Sequence, residues 1–154
     1  MKDKNWIYKY FSEDELSDIQ SAIDKVESKT VGEIVLSFRN KRNLLEKLYT
    51  PHELALKDFK TLGVANTKEK TGILIFIIFE ERYYDILADE GIYAKIADKV
   101  WNKLEEKLKK EFQDGNYSKG ILQLIKKTGD VLAKEFPARA DANDDEISNE
   151  IVIN

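Results

Sequence analysis

The eight residues Gly72-Ile-Leu-Ile-Phe-Ile-Ile-Phe79 constrain the fold of this chain more than any other stretch. The run has no polar face. Both of its sides must therefore be covered, as in a central strand of a helix-flanked sheet. A charged turn, Glu80-Glu81-Arg82, follows it, then a second strand over 83–88 that ends at Asp89-Glu90-Gly91, where a helix begins. The hairpin brings the end of the second strand back beside the start of the first. Asp89 and Glu90 are thus expected near Thr71 and Gly72, at the mouth of a helix.

The flanking segments supply the other layers. Ser12-Glu13-Asp14-Glu15 has the form of a capping box, in which a serine oxygen and a glutamate carboxylate satisfy each other's orphan amides. It opens a helix with Leu16, Ile19, Ile23 and Val26 on one face. Thr30-Val31-Gly32 breaks that helix, and 33–38 reads as a strand. Residues 39–47 are basic and ambiguous. Thr50-Pro51-His52-Glu53 is a second capping box, with proline where its missing N–H costs nothing. Its helix directs Ala55, Phe59 and Leu62 inward and stops at Gly63.

A long helix is expected from Gly91, carrying Ile92, Ile96, Val100, Leu104, Leu108 and Phe112 at fourfold steps, with Trp101 in or beside the core. Asp114-Gly115-Asn116 ends it, and a last helix aligns Tyr117, Ile121, Leu124, Ile125, Thr128, Leu132 and Phe136 before Pro137. The order is α-β-α-β-β-α-α. A strand-helix-strand unit implies a parallel right-handed crossover from 33–38 to 72–79. The expected fold class is α/β, a three-layer α/β/α sandwich on a mixed sheet. Residues 1–137 read as one domain and 138–154 as an acidic, flexible tail, with docking of Ile147, Ile151 and Val152 on the body as the alternative. The aromatic N-terminus, Trp6 and 8–11, reads as a packing arm, with a contact for a protein partner as the alternative.

Composition narrows the function. The 154 residues are 42% hydrophobic and 35% charged, with a net charge of -4, which suits a globular domain with a real core. Acids and bases are interleaved, so there is no electrostatic footprint for nucleic acid. With no cysteine and one histidine, His52, thiol nucleophiles, zinc-thiolate sites, histidine-based metal sites and a Ser-His-Asp triad fall away. The first residues carry no signal-like apolar core, and no run is long enough to cross a bilayer. A cytoplasmic monomer without membrane insertion is expected.

The topology collects chemistry at one rim. Thr30, Gly32 and Glu33 fall at the same sheet edge as Thr71 and Gly72, and the hairpin adds Asp89, Glu90 and Gly91. Arg39, Glu80, Glu81 and Arg82 gather at the opposite edge. Glu33, Asp89 and Glu90, with the hydroxyls of Thr30 and Thr71, are hard oxygen ligands that suit Ca²⁺ or Mg²⁺. Helix-end amides holding a phosphate or another anion are the alternative. The plain reading is that Asp89 caps the helix while Glu33 and Glu90 face solvent.

Several blocks in order resemble the TPM-domain family: Phe11-Ser-Glu-Asp-Glu15; Thr30-Val-Gly-Glu-Ile34; Leu62-Gly63 through Thr67; Lys70-Thr71-Gly72-Ile-Leu-Ile75; Glu81-Arg82; Asp89-Glu90-Gly91-Ile92 with Trp101; and Asp114-Gly115-Asn116-Tyr117 with Gly120. The acidic ending, with Glu146-Ile147 and Glu150-Ile151-Val152, is similar to a short, signal-less bacterial branch. The resemblance implies a Rossmann-like sandwich. It carries over Thr30, Gly32, Glu33, Thr71, Gly72, Arg82, Asp89, Gly91 and Ile92 as matched positions. Plant members of the family are linked to acid phosphatase activity and photosystem II repair, an animal member is an accessory receptor subunit, and several members bind divalent cations, notably calcium. This chain has Thr71 where the family often has asparagine and Glu81 where it often has aspartate, and it lacks a histidine near Ala65-Asn66. Those departures bear on phosphatase chemistry more than on the fold. The expected function is regulatory or accessory divalent-cation binding through Glu33, Thr71, Asp89 and Glu90. The alternatives are a non-catalytic module for a membrane-associated protein partner and a metal-assisted acid phosphatase.

Overall fold

A computed structural model describes residues 3–139 and 151–154. Its elements are α1 (Glu13–Glu27), β1 (Glu33–Arg39), α2 (Pro51–Thr61), β2 (Gly72–Ile78), β3 (Tyr83–Ala88), α3 (Glu90–Tyr93), α4 (Asp98–Gln113), α5 (Tyr117–Glu135) and β4 (Ile151–Ile153). Short 3-10 helices form at Asn5–Lys9, Glu46–Leu48 and Val64–Asn66. Both capping boxes form, Ser12 with Glu15 and Thr50 with Glu53.

The strand order is β3-β2-β1-β4. β2 pairs parallel with β1 from Glu33↔Gly72 to Arg39↔Ile78, and antiparallel with β3 from Ile73↔Ala88 to Ile78↔Tyr83. β1 and β2 are buried along their whole length, because alternate side chains enter different cores. Ile34, Leu36, Phe38, Ile73, Ile75 and Ile77 pack with residues of α1, α4 and α5. Val35, Leu74, Phe76 and Ile78 pack with Leu54 and Ala55 of α2 and with Val64. The result is the three-layer α/β/α sandwich. The N-terminal aromatics do pack on it: Phe11 is buried, and the rings of Trp6 and Tyr10 lie 5.4 and 4.4 Å from that of Phe79.

The structure departs from the sequence expectation in three places. The expected helix over 91–112 is two helices, with Ala97 extended at φ -70°, ψ 147°. A strict four-residue step turns the buried direction by about 40° each time, so one unbroken helix would rotate its stripe by about 200° between Ile92 and Phe112. The break restarts the phase, and α4 buries Trp101, Leu104, Leu108 and Phe112, leaving Val100 half-buried. In α2 the buried positions are Leu54, Ala55 and Asp58, while Phe59 and Leu62 pack at the margin. Within the stretch read first as an acidic, flexible tail, Ile151 and Val152 dock on the body, as the alternative reading had it, by forming β4, which pairs parallel with β1 (Leu36↔Ile151, Phe38↔Ile153). Ile147 lies outside the described residues.

Candidate functional site at the two rims of the sheet

The amino ends of β1 and β2 and the end of β3 meet at one rim. Glu33 is opposite Gly72, and the amide of Asp89 donates to the Gly72 carbonyl at 2.9 Å. Glu33, Gly72 and Asp89 thus lie side by side across three strands. Thr71 joins them, its carbonyl accepting from the Glu33 amide at 3.1 Å and its hydroxyl donating to the Val31 carbonyl at 3.3 Å.

The loop after α2 closes over this rim. A Cβ on Gly72 would sit 2.2 Å from the Val64 carbonyl oxygen, and one on Gly91 would sit 2.4 Å from that of Glu69 and 2.5 Å from that of Lys70. Both glycines are there because backbone lies where a side chain would be. Lys70 takes a left-handed φ of 58° to make the turn. The Thr67 hydroxyl accepts from the Thr71 amide at 2.9 Å. Thr30 serves the other face, where its hydroxyl donates to the Phe136 carbonyl at the end of α5 and accepts from the Gly32 amide at 3.0 Å. Most motif residues at this rim therefore hold the loop and α5 in place.

The carboxylates at this rim differ in their surroundings. Glu33 is 6% exposed. One oxygen of Asp89 caps the Glu90 amide at 2.7 Å, while its Oδ2 is buried and has no hydrogen-bond partner among the described residues. A buried polar atom left in that state costs about 1–3 kcal/mol. Glu90 is exposed, and Arg82 stands at the far end of β3, apart from the rim. Among the described residues no group of three or more His, Asp or Glu side chains comes together as a metal-ligand set. The anion alternative loses its helix: α3 has four residues, too few to build a macrodipole, and its first amide is already taken by Asp89.

A polar centre that the sequence reading did not single out lies at the carboxyl ends of the strands. Arg39, 7% exposed, pairs with Asp58 of α2 at 2.8 Å and with Glu46. The Ser37 hydroxyl donates to Asp58 at 2.7 Å. Nearby, Arg42 binds Glu81 at 2.8 Å and donates to the Tyr49 carbonyl at 2.9 Å, pinning the 40–50 loop to the hairpin. Burial opposes ionisation of Glu81, but the hydrogen bonds and charge of Arg42 outweigh it and hold the carboxyl below its usual range. The signal was in the pattern: Ser37 and Arg39 alternate on one face of a strand, and Asp58 sits on the inward stripe of a helix.

Three clefts open at this end. One of about 310 Å³ runs along the 45–49 segment beside Asp58. Another, of about 500 Å³, is lined by Tyr10, Tyr84 and Tyr117 with Glu80 and Arg82. Burial pushes the phenols of Tyr10 and Tyr84 up, and their neighbouring tyrosines add to it. The third, of about 220 Å³, lies between the ends of β1 and β4.

Architecture and rim together define an open-sheet α/β/α domain whose motif residues gather at the amino ends of its two central strands. The family model of the TPM domain matches residues 8–131, and the chain belongs to the TPM-domain family. Among solved structures it is similar to the NMR structure of the BA42 protein from the psychrophilic bacterium Bizionia argentinensis, with 29% identity, 93% of this chain and 94% of that one covered, and a TM-score of 0.82. It is also similar in fold to the N-terminal domain of a P. gingivalis protein (16% identity, 84% and 82% covered, TM-score 0.65). The N-terminal domain of the cg2496 protein from Corynebacterium glutamicum is a further fold relative (16% identity, 79% and 74% covered, TM-score 0.60). No curated protein matches the chain. Among the described residues no helix is long and apolar enough to cross a membrane.

Proposed function

We propose that this TPM domain binds a divalent cation, Ca²⁺ or Mg²⁺, at the amino rim and acts as an accessory or regulatory domain. The observation that carries the reading is Asp89 Oδ2, a buried carboxylate oxygen without a hydrogen-bond partner among the described residues, at the same rim as a second buried carboxylate, Glu33, on the far side of β2. Asp89 and Glu33 would supply charge, and Thr71 and exposed Glu90 further oxygens. With so few carboxylates the ion keeps several waters, a coordination that Mg²⁺ favours. Bound there, a cation supplies charge neutralisation that ties the 64–71 loop to the strand ends.

Titrating Ca²⁺ and then Mg²⁺ while following backbone amide resonances tests this. Saturable shifts at Glu33, Thr71 and Asp89 are expected, lost in Asp89→Asn. Resonances that stay still at millimolar metal would sink the reading. Thermal unfolding gives a second readout, because metal at about 100 times its Kd adds about 2.7 kcal/mol to stability.

A second reading, a surface for a membrane-associated protein partner, draws on the 44–49 segment, where Leu44, Leu45 and Leu48 are 86%, 74% and 80% exposed. The aromatic arm first considered for that role is occupied with packing on Phe79. Replacing the three leucines by serine should abolish capture of such a partner without lowering the unfolding temperature. Phosphatase chemistry has less support, since the rim hydroxyls of Thr30, Thr67 and Thr71 are each engaged with backbone groups.

A further inference from the structure

The loop between β1 and α2 is built inside out. Its charged side chains Arg42 and Glu46 turn toward the body. Glu46 pairs with Arg39 and accepts from the Asn43 amide at 2.9 Å, while the Asn43 side chain accepts from the Glu46 amide at 2.8 Å. Arg42 holds Glu81 and the Tyr49 carbonyl. What the loop presents to solvent is Leu44, Leu45 and Leu48, the three most exposed large hydrophobic side chains among the described residues, with Tyr49 beside them. Leu45, Leu48 and Tyr49 line one cleft together, and an apolar patch of this kind marks an interaction surface. The polar links fix the leucines outward, so docking carries little further cost of ordering the loop.

Charge decides what the leucines meet. Lys41, Lys47 and Lys57 are exposed, and none forms an ion pair among the described residues. Lys47 lies between Leu45 and Leu48 in sequence, and Lys57 reaches the same surface, its ammonium 5.0 Å from the centre of the Tyr49 ring. The acids of this end are engaged: Glu46 and Asp58 share Arg39, Glu81 holds Arg42, and Glu53 accepts from the Thr50 amide. A protein partner requires a groove fitted to three protruding leucines. A fluid bilayer needs no such fit, and its anionic headgroups give the lysines a role. We propose that this loop docks the domain peripherally on an anionic membrane surface. Leu44, Leu45 and Leu48 enter the boundary between headgroups and acyl chains, and Lys41, Lys47 and Lys57 meet lipid phosphates. The docking is independent of cation binding, which belongs to the opposite rim of the sheet.

A second lysine cluster supplies the control. Lys103, Lys107 and Lys127 of α4 and α5 crowd closely enough for Lys127 to lower the Lys107 pKa, yet none of the exposed large hydrophobics among the described residues lies on those helices. The test is co-sedimentation of the full chain with vesicles of equal parts phosphatidylcholine and phosphatidylglycerol, and with vesicles of phosphatidylcholine alone. Binding to the anionic vesicles is expected, with much weaker binding to the neutral ones. Leu48→Ser should weaken it about tenfold and Lys47→Gln about fivefold. Replacing Leu44, Leu45 and Leu48 together by serine should abolish it at an unchanged unfolding temperature. Changing Lys103, Lys107 and Lys127 together to glutamine should leave it intact. A chain that stays in solution with the anionic vesicles would overturn the proposal and leave the leucines to a protein partner. So would a serine variant that still sediments, loss of binding in the α4 and α5 variant, or a native dimer that the serine variant converts to monomer.

Discussion

Gly72 and Gly91 look, in sequence, like parts of a ligand-binding motif, yet each is required by backbone pressed against it. In Gly72→Ala the new methyl meets the Val64 carbonyl oxygen at 2.2 Å, which is backbone and has little room to move. Overpacking of this kind costs about 3 kcal/mol, and urea unfolding should show it as a lower midpoint. Asp58 is the complementary case, a charge inside a core. Its removal in Asp58→Ala leaves Arg39 with Glu46 alone and Ser37 without its acceptor. A loss of about 3 kcal/mol is expected, again read from denaturant unfolding. The hairpin residue Arg82 takes a left-handed φ of 51°, a conformation costing a non-glycine residue about 1 kcal/mol. Arg82→Gly should therefore raise the unfolding temperature slightly.

The helices after the hairpin carry their own lesson. Fourfold spacing from Ile92 to Phe112 reads as one helix because each step is a helical neighbour, while the accumulated rotation shows only when the partners are known. α4 begins at Ala97, which provides no side-chain cap. Ala97→Ser keeps the extended backbone and adds an acceptor for the exposed amides, so a gain of about 1 kcal/mol is expected in thermal or denaturant unfolding. Where α4 meets β3, Glu105 accepts from the Ile86 amide at 2.9 Å. Burial raises its carboxyl above the ordinary range, the Ile86 hydrogen bond offsets part of this, and Asp85 adds to it. The folded state therefore favours the protonated form. The stability this contributes is full below the ordinary glutamate value and is lost as pH rises through the raised one. Glu105→Gln keeps the acceptor and removes the charge, so its unfolding temperature should exceed that of the native chain near about pH 7 and converge with it near about pH 4.

Across the whole molecule, strand pairing depends on both short-range and very long-range contacts. β4 joins β1 through three paired positions more than a hundred residues away in sequence, and its neighbour Asn154 donates to the Phe38 carbonyl at 2.9 Å. Removing 151–154 should open the β1 edge, visible as faster hydrogen exchange along Leu36 to Phe38. Periodicity and capping chemistry in the linear chain were enough to assign the layers, the central place of β2, the parallel crossover and the meeting of Glu33, Thr71 and Asp89, because each rests on local geometry or on a short connection. They were not enough to reveal the break before α4, the β4 pairing, the buried Arg39–Asp58 pair or the cleft beside it. Those depend on which surfaces face one another after folding, and residue spacing carries no record of a partner on a distant element.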